Sequence, residues 1–334
     1  MHPVARMTTF PAALLLAAGV LPAAPALAEP APAPVSRSFG QPGEWTAARM
    51  RRAEANARDL PLRQAKPRPG KVSPVAKAVV AQGHRKAPLK QIGRLYMTDA
   101  QGQVSSCTGT VVNTAYPEKG EGNGSVLLTA AHCLESPEDG WYAESVVFAP
   151  DLDRETAPHG LWNGYRALMW SPWTSRADHA YDYAFLAVAR QDSGTLQKRT
   201  KGQSLRFDAK KKRMWLRAYG YAAQYSPHEK DYPEGGSVLR MCKGRTGSVV
   251  YDVGRFHTLK CNLSHGASGG PLVTDVKKSG YGRIVGVVSF GLKGGTRLHS
   301  PVFDKRTKEL FFKIRKVRTP LQEAPPAQDL VRVR

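Results

Sequence analysis

Ile92-Gly-Arg-Leu-Tyr-Met97, Thr108-Gly-Thr-Val-Val112, Ser125-Val-Leu-Leu-Thr129 and Ser145-Val-Val-Phe148 open a series of short apolar runs punctuated by Gly, Asn and Asp. The series continues with Ala184–Val188, Met214–Tyr219, Gly247–Tyr251, Pro271–Thr274 and Ile284–Ser289. Runs of this length, recurring about every 10 to 30 residues with turn signals between them, predict an all-β sandwich or barrel. No βαβ alternation interrupts them. Helical periodicity is confined to Asp304–Val317, where Leu310, Phe311, Ile314 and Val317 fall near one face.

Around this block the composition changes. The whole chain has 334 residues, 41% of them apolar, with 49 Lys+Arg against 27 Asp+Glu and a net charge of +22. Apolar content of this order excludes a wholly disordered chain, and Gly and Pro lack the collagen period. No apolar run reaches the roughly 18 residues of a membrane-spanning helix. Residues 1–28 read as a secretory signal peptide: His2 and Arg6, the apolar stretch Ala12–Leu21, then Ala26-Leu27-Ala28. Export makes the four cysteines candidates for two disulfides, with three pairings open.

Residues 29–90 form a basic, Pro/Ala-rich segment with 13 Lys+Arg and four acidic residues. They hold too few large apolar residues for a core of their own, and read as a propeptide or linker. Ala47–Leu60 is its one predicted helix. Residues 319–334 read as a polar tail.

Three short motifs carry chemistry. Leu128-Thr-Ala-Ala-His132-Cys133 sets a His beside a Cys after an apolar strand, Tyr181-Asp182-Tyr-Ala-Phe-Leu186 sets an acid at a strand head, and Gly266-Ala-Ser268-Gly-Gly-Pro271 flanks a Ser with glycines. Glycine permits a tight turn that exposes backbone amides and admits a substrate carbonyl. A Ser hydroxyl becomes a nucleophile once an imidazole accepts its proton, and the imidazole needs an acid to fix its tautomer. The three occur in the order His, Asp, Ser.

Together with Ile92-Gly-Arg-Leu, Cys107-Thr-Gly-Thr-Val-Val112 and Gly286-Val-Val-Ser-Phe-Gly291, these motifs resemble the chymotrypsin-like serine peptidases. The resemblance is closer to secreted bacterial members of the V8-like, glutamyl-endopeptidase-related branch, and spans roughly residues 91–295. It implies two packed six-stranded antiparallel β-barrels, 91–200 and 201–318, with a short C-terminal helix. It makes Ser268 the nucleophile, His132 the general base, Asp182 its orienting acid with Asp178 the nearest rival, and the N–H groups of Gly266 and Ser268 the oxyanion hole. Ser289, Phe290 and Gly291 are implied to support the acid and offer backbone to substrate. Cys107 pairs with Cys133, and Cys242 with Cys261, on the same grounds. The resemblance implies a monomeric endopeptidase acting on protein or peptide substrates without metal or organic cofactor.

The chain departs from that pattern in places that bear on activation and specificity. Ala267 stands where trypsin-type enzymes carry the Asp that receives the new N-terminal ammonium, so activation needs another device, such as a cut at Arg85-Lys86 or Lys90. Asn262 stands where those enzymes carry the pocket-base Asp, which removes the electrostatic reason for cleavage after Lys or Arg. Leu263 and Val288 occupy places where glutamyl endopeptidases use Thr and His, leaving His265 at the pocket rim as the one group to favour an acidic side chain.

Two other classes compete. An α/β-hydrolase elbow fits Gly266–Gly270, but that fold needs the order Ser, acid, His, and only His299 follows. A noncatalytic polyanion-binding protein has its motive in Lys210–Arg213 and Lys313–Arg318, which also suit association with anionic cell surfaces. Zinc spacings are absent, as are nucleic-acid motifs with aromatic interleaving.

Overall fold

Six strands close into an antiparallel barrel in the first half of the chain. In a computed structural model, which describes residues 30–57, 76–114, 124–208, 213–222, 235–251, 254–291 and 297–328, the ring runs Trp162–Trp170, Ala184–Val188, Ser125–Thr129, Val104–Val112, Ile92–Thr98 and Ser145–Pro150. It returns to its start through the pair Trp162↔Phe148. The expected signal peptide, the Lys66–Pro74 stretch and Lys210–Lys212 lie outside the described residues. Leu95, Leu127, Phe148 and Leu186 fill the barrel with no exposed surface, and the alternating residues Leu128 and Phe185 face outward under packed chain. Their strands are buried at every residue because both faces are covered, one by the barrel interior and one by packed chain.

The second half divides its hydrogen bonds between two sheets, without the closed ring of six strands that the resemblance implied. One has six strands, ordered Ser204–Leu205, Arg283–Val287, Pro271–Thr274, Trp215–Gly220, Arg240–Arg245 and Val79–Val80. The other has four: Gly247–Tyr251, Gly254–Lys260, Arg297–Pro301 and Phe290–Gly291. The expected C-terminal helix is Lys305–Ile314. Asp304 starts it with a capping box, its carboxylate accepting from the Arg306 and Thr307 N–H groups while Thr307 reaches back to the Asp304 N–H. Leu310, Phe311 and Ile314 bury the apolar stripe, each contributing about 1.5–3 kcal/mol.

The basic N-terminal segment is woven into this framework. Pro34–Ser38 adds a strand to the first barrel by antiparallel pairing with Arg166–Trp170. The helix is Ala47–Ala55, shorter than the expected Ala47–Leu60. Thr46 caps its start by accepting from Arg49 N at 3.1 Å, and Asn56 ends it. Trp45, Met50 and Ala53 are buried, so few apolar residues suffice when they borrow the barrel's core. Further on, Val79–Val80 pairs with Arg240–Met241 of the second half.

The tail also docks. Gln322 N donates to Arg190 O, Trp45 N donates to Pro326 O, and Ala327–Gln328 runs parallel to Trp45–Thr46.

Candidate active site

His132 sits in a single 3₁₀ turn, Ala131–Cys133, that follows directly from the strand Ser125–Thr129. The Cys107–Cys133 disulfide pins this turn to the neighbouring strand, and Cys242–Cys261 forms as well. Asp182 ends the next 3₁₀ turn, His179–Tyr181, just before Ala184–Val188. Because Ala184 pairs with Thr129 in the barrel, the two turns emerge side by side. Residues 50 apart in sequence thereby meet: Asp182 Oδ2 lies 2.8 Å from His132 Nδ1, and Oδ1 accepts from the His132 N–H at 2.9 Å.

The Asp182 carboxyl is fully buried, and burial alone would raise its pKa. The His132 charge and the hydrogen bonds from the His132 ring, the Ser289 hydroxyl and the His132 N–H outweigh that penalty and hold it below the ordinary value. Ser289 Oγ donates to Oδ2 at 2.5 Å, so its hydroxyl lies against the carboxylate. Asp178 turns away, its carboxylate accepting from Ala180 N and pairing with Arg176. On the far side of the ring His132 Nε2 is buried and has no hydrogen-bond partner among the described residues.

Ser268 lies in a turn stacked on the strand that leads to Cys107–Val112. Thr108 N donates to Ser268 O at 2.8 Å. Gly266 and Gly269 adopt φ of +83° and +80°, which an L side chain rarely tolerates. Within the turn the N–H groups of Ala267, Gly269 and Gly270 donate to Ser264, Val288 and Ala267 carbonyls. Among the described residues, the Gly266 and Ser268 N–H groups have no protein acceptor. These two unbonded donors lie on either side of Ala267 next to the buried Ser268 side chain.

The remaining predicted site residues are placed as follows. Phe290 is buried and stacks on His299 at 4.6 Å, and Phe290–Gly291 pairs with Leu298–His299 along one edge. His265 is half-buried. Asn262 is buried and its Oδ1 accepts from Ala78 N at 2.6 Å, so its carboxamide oxygen is engaged by the N-terminal segment.

Four residues near the site were given no role from the sequence, although Arg94 and Thr108 fall within the Ile92-Gly-Arg-Leu and Cys107-Thr-Gly motifs. Trp173 sits 6.5 Å from the His132 ring, and His179 is wedged edge-on between Trp173 and Phe290. Burial lowers the His179 pKa, which favours the neutral ring. Thr108 and Arg94 both donate to Gly266 O.

Cys107, His132 and Cys133 bring ligand-type atoms within 4.8 Å of one another. Both sulfurs are spent in the disulfide, so no thiolate is available there to bind a metal.

The trypsin-like peptidase domain matches residues 107–287, more than half of the chain, and takes in His132, Asp182 and Ser268. The chain belongs to the trypsin-like peptidase domain family.

Solved structures agree with this membership. Protease Anisep from Arthrobacter nicotinovorans superposes with a TM-score of 0.57 at 25% identity, covering 69% of this chain and 98% of that one. The thermostable serine protease AL20 from an extremophilic microorganism gives 0.56 at 25% identity over 67% and 95%. A Glu endopeptidase gives 0.55 at 19% identity over 71% and 96%, a likeness of fold. Among curated proteins, the extracellular metalloprotease of Bacillus subtilis is 28% identical over 90 residues, which are 27% of this chain and 25% of that protein's length. The chain thus spans about a quarter of the length of that relative.

Proposed function

We propose that this trypsin-like peptidase is an exported serine endopeptidase that cleaves peptide bonds through Ser268, His132 and Asp182. The observation that carries the reading is the paired arrangement at the site: Asp182 binds His132 Nδ1 at 2.8 Å, which leaves Nε2 as the proton acceptor, and the Gly266 and Ser268 N–H groups are free beside the serine. The Ser268 hydroxyl attacks the scissile carbonyl as its proton passes to Nε2. Charge then developing on the carbonyl oxygen meets the two N–H donors. His132 returns the proton to the leaving amine, and water releases the acyl group by the same route in reverse.

Export is supported by the signal-type pattern of residues 1–28 and by the extracellular character in the name of the B. subtilis relative. Strict preference for Glu lacks support, since Leu263 and Val288 replace the polar groups such a pocket uses. A serine-directed fluorophosphonate tests the reading: stoichiometric labelling at Ser268 of folded protein is expected, and a folded protein that takes no label overturns it.

Ser289→Ala removes one donor to Asp182. The carboxylate becomes easier to protonate, so the acid limb of the kcat/KM profile moves to higher pH, with a loss of about tenfold at neutral pH, the equivalent of ~1.4 kcal/mol. A pH–rate profile of the variant checks this.

A separate observation bears on partners. Trp215, Arg217, Lys243 and Arg245 share one exposed face of a hairpin, with Trp215↔Arg245 and Arg217↔Lys243 as cross-strand pairs and the Arg245 guanidinium 5.6 Å from the Trp215 ring centre. This face suits an anionic polymer or cell surface. Retention on a polyanion column is expected to weaken in Arg217→Glu/Arg245→Glu, with the elution salt as the readout.

A further inference from the structure

Arg94 is the largest charged side chain buried without exposure, and it lies between two parts of the molecule that the proposed chemistry does not connect. Its Nη1 donates to the Tyr221 carbonyl and, at 3.4 Å, to the Gly266 carbonyl. Its Nη2 donates to Ser106 Oγ at 2.5 Å, and that hydroxyl donates to Ala53 O of the N-terminal helix at 2.9 Å. The next residue of the helix, Glu54, is buried, accepts from Tyr96 Oη at 2.9 Å and interacts electrostatically with Arg94. A Cβ on Gly236 would stand 2.8 Å from Arg94 Nη2 and 3.4 Å from Glu54 Cβ, so only a glycine fits beside the two charges. On the other side, a Cβ on Gly266 would stand 2.8 Å from Arg94 Nη1.

We infer that Arg94, held by Ser106 and neutralised by Glu54 of the helix Ala47–Ala55, is the positioning residue that keeps the Gly266 oxyanion donor aimed at substrate. The inference rests on the peptidase reading of the site. Gly266 has φ +83°, and its carbonyl is fixed by Arg94 and by Thr108 Oγ1 at 2.8 Å. Thr108 Oγ1 in turn accepts from Tyr221 N at 3.0 Å, so the Tyr221 and Gly266 segments are tied at the same spot. The carbonyl side of Gly266 is held and Ala267 N is bonded to Ser264 O at 2.9 Å, while the Gly266 N–H, two residues from Ser268, has no acceptor among the described residues.

Ala267, which has no carboxylate to anchor an N-terminal ammonium, packs fully buried against Gly220. The fixed cation therefore comes from the first barrel, and its counter-charge comes from the N-terminal segment. That segment functions as part of the working enzyme, and the Trp45–Ala55 stretch stays with it whether or not the chain is cut beyond it.

The test uses full-length secreted protein carrying Arg94→Lys, Arg94→Met or Glu54→Gln. Kinetics on a peptide substrate are read beside inhibition by a peptidyl trifluoromethyl ketone, whose hemiketal oxygen occupies the oxyanion position. Removal of a whole oxyanion donor costs about 10²–10³ in turnover, so its misorientation in Arg94→Lys is expected to cost about 10- to 100-fold. The loss should fall on kcat with KM within about twofold, and trifluoromethyl ketone affinity should fall in step. Glu54→Gln, which keeps the Tyr96 hydrogen bond, moves both readings the same way by less.

Folded Lys and Gln variants with parental kcat and parental ketone affinity overturn the inference, even if their melting temperatures drop. An active mature enzyme whose mass spectrum lacks Trp45–Ala55 overturns it too. Should Arg94→Met fail to fold, the Lys and Gln variants still decide. A parent protein that takes no fluorophosphonate overturns the peptidase reading itself, a result distinct from parental activity in the variants.

Discussion

Ser268→Ala is expected to lower kcat by about 10⁶ while leaving the fold intact, the scale seen when a serine nucleophile acting as one unit with its base is removed. The structure explains why the two effects separate. The Ser268 hydroxyl has no hydrogen bond to lose among the described residues, and its backbone carbonyl bond to Thr108 N does not depend on the side chain. A smaller Ala fits the same turn, since the positive φ values belong to Gly266 and Gly269 and not to residue 268. The expected stability change is under about 1 kcal/mol. Peptide hydrolysis and a thermal melt, measured on the same preparation, check both halves. A variant that retains the parental rate ends the serine-peptidase reading.

Asp182→Asn carries the second-largest effect, a loss in kcat of about 10⁴ near neutral pH. The asparagine oxygen can replace only one acceptor. If it keeps the His132 N–H, its NH₂ confronts both the ring Nδ1 and the Ser289 hydroxyl. The ring then settles with its proton on Nε2, where it can no longer accept one from Ser268. Stability follows a different course with pH. The folded pKa of Asp182 lies below its unfolded value, so the parent holds this group's stabilisation above the unfolded pKa and loses it as pH falls through the folded one. The Asn variant lacks that dependence. Melting temperatures taken from pH 7 down to about 3, spanning the ordinary Asp range near 3.9, should converge between the two proteins as the solution becomes acid. Curves that stay parallel would contradict the assigned direction.

Strands flanked by turn residues were legible because they are short and apolar on both faces. Ser125–Thr129, Ala184–Val188, Gly247–Tyr251 and Pro271–Thr274 have the limits read from the chain. Trp162–Trp170 was not legible, since it carries Asn163, Gly164 and Arg166 and its register shifts between Gly164 and Arg166. Arg240–Arg245 and Gly254–Lys260 were hidden for a related reason: their outward faces are charged, and only their partners make them strands. The docking of the N-terminal segment was not legible because composition reports whether a stretch can build a core, not whether it can join one. Trp45 and Met50 bury themselves in a barrel built by other residues.

At the site, His132, Asp182 and Ser268 were legible through motifs that join chemistry to turn geometry. Arg94 was not, because its contacts to Tyr221 and Gly266 span 127 and 172 residues and leave no local pattern. Trp173 and His179 reach the His132 side only through the fold of the Ser171–Arg176 helix and the turn after it. The Cys107–Cys133 and Cys242–Cys261 pairings form as the family resemblance implied, whereas cysteine count alone left three.

The parallel pairing of Trp45–Thr46 with Ala327–Gln328 has a mechanical consequence. Tension applied to the two ends of the chain pulls these strands in opposite directions along their length. Their hydrogen bonds are then loaded in shear and must yield together rather than peel one at a time. A pull from the C-terminal side therefore meets this clasp first, whereas one from the N-terminal side first loads the Pro34–Ser38 strand of the first barrel.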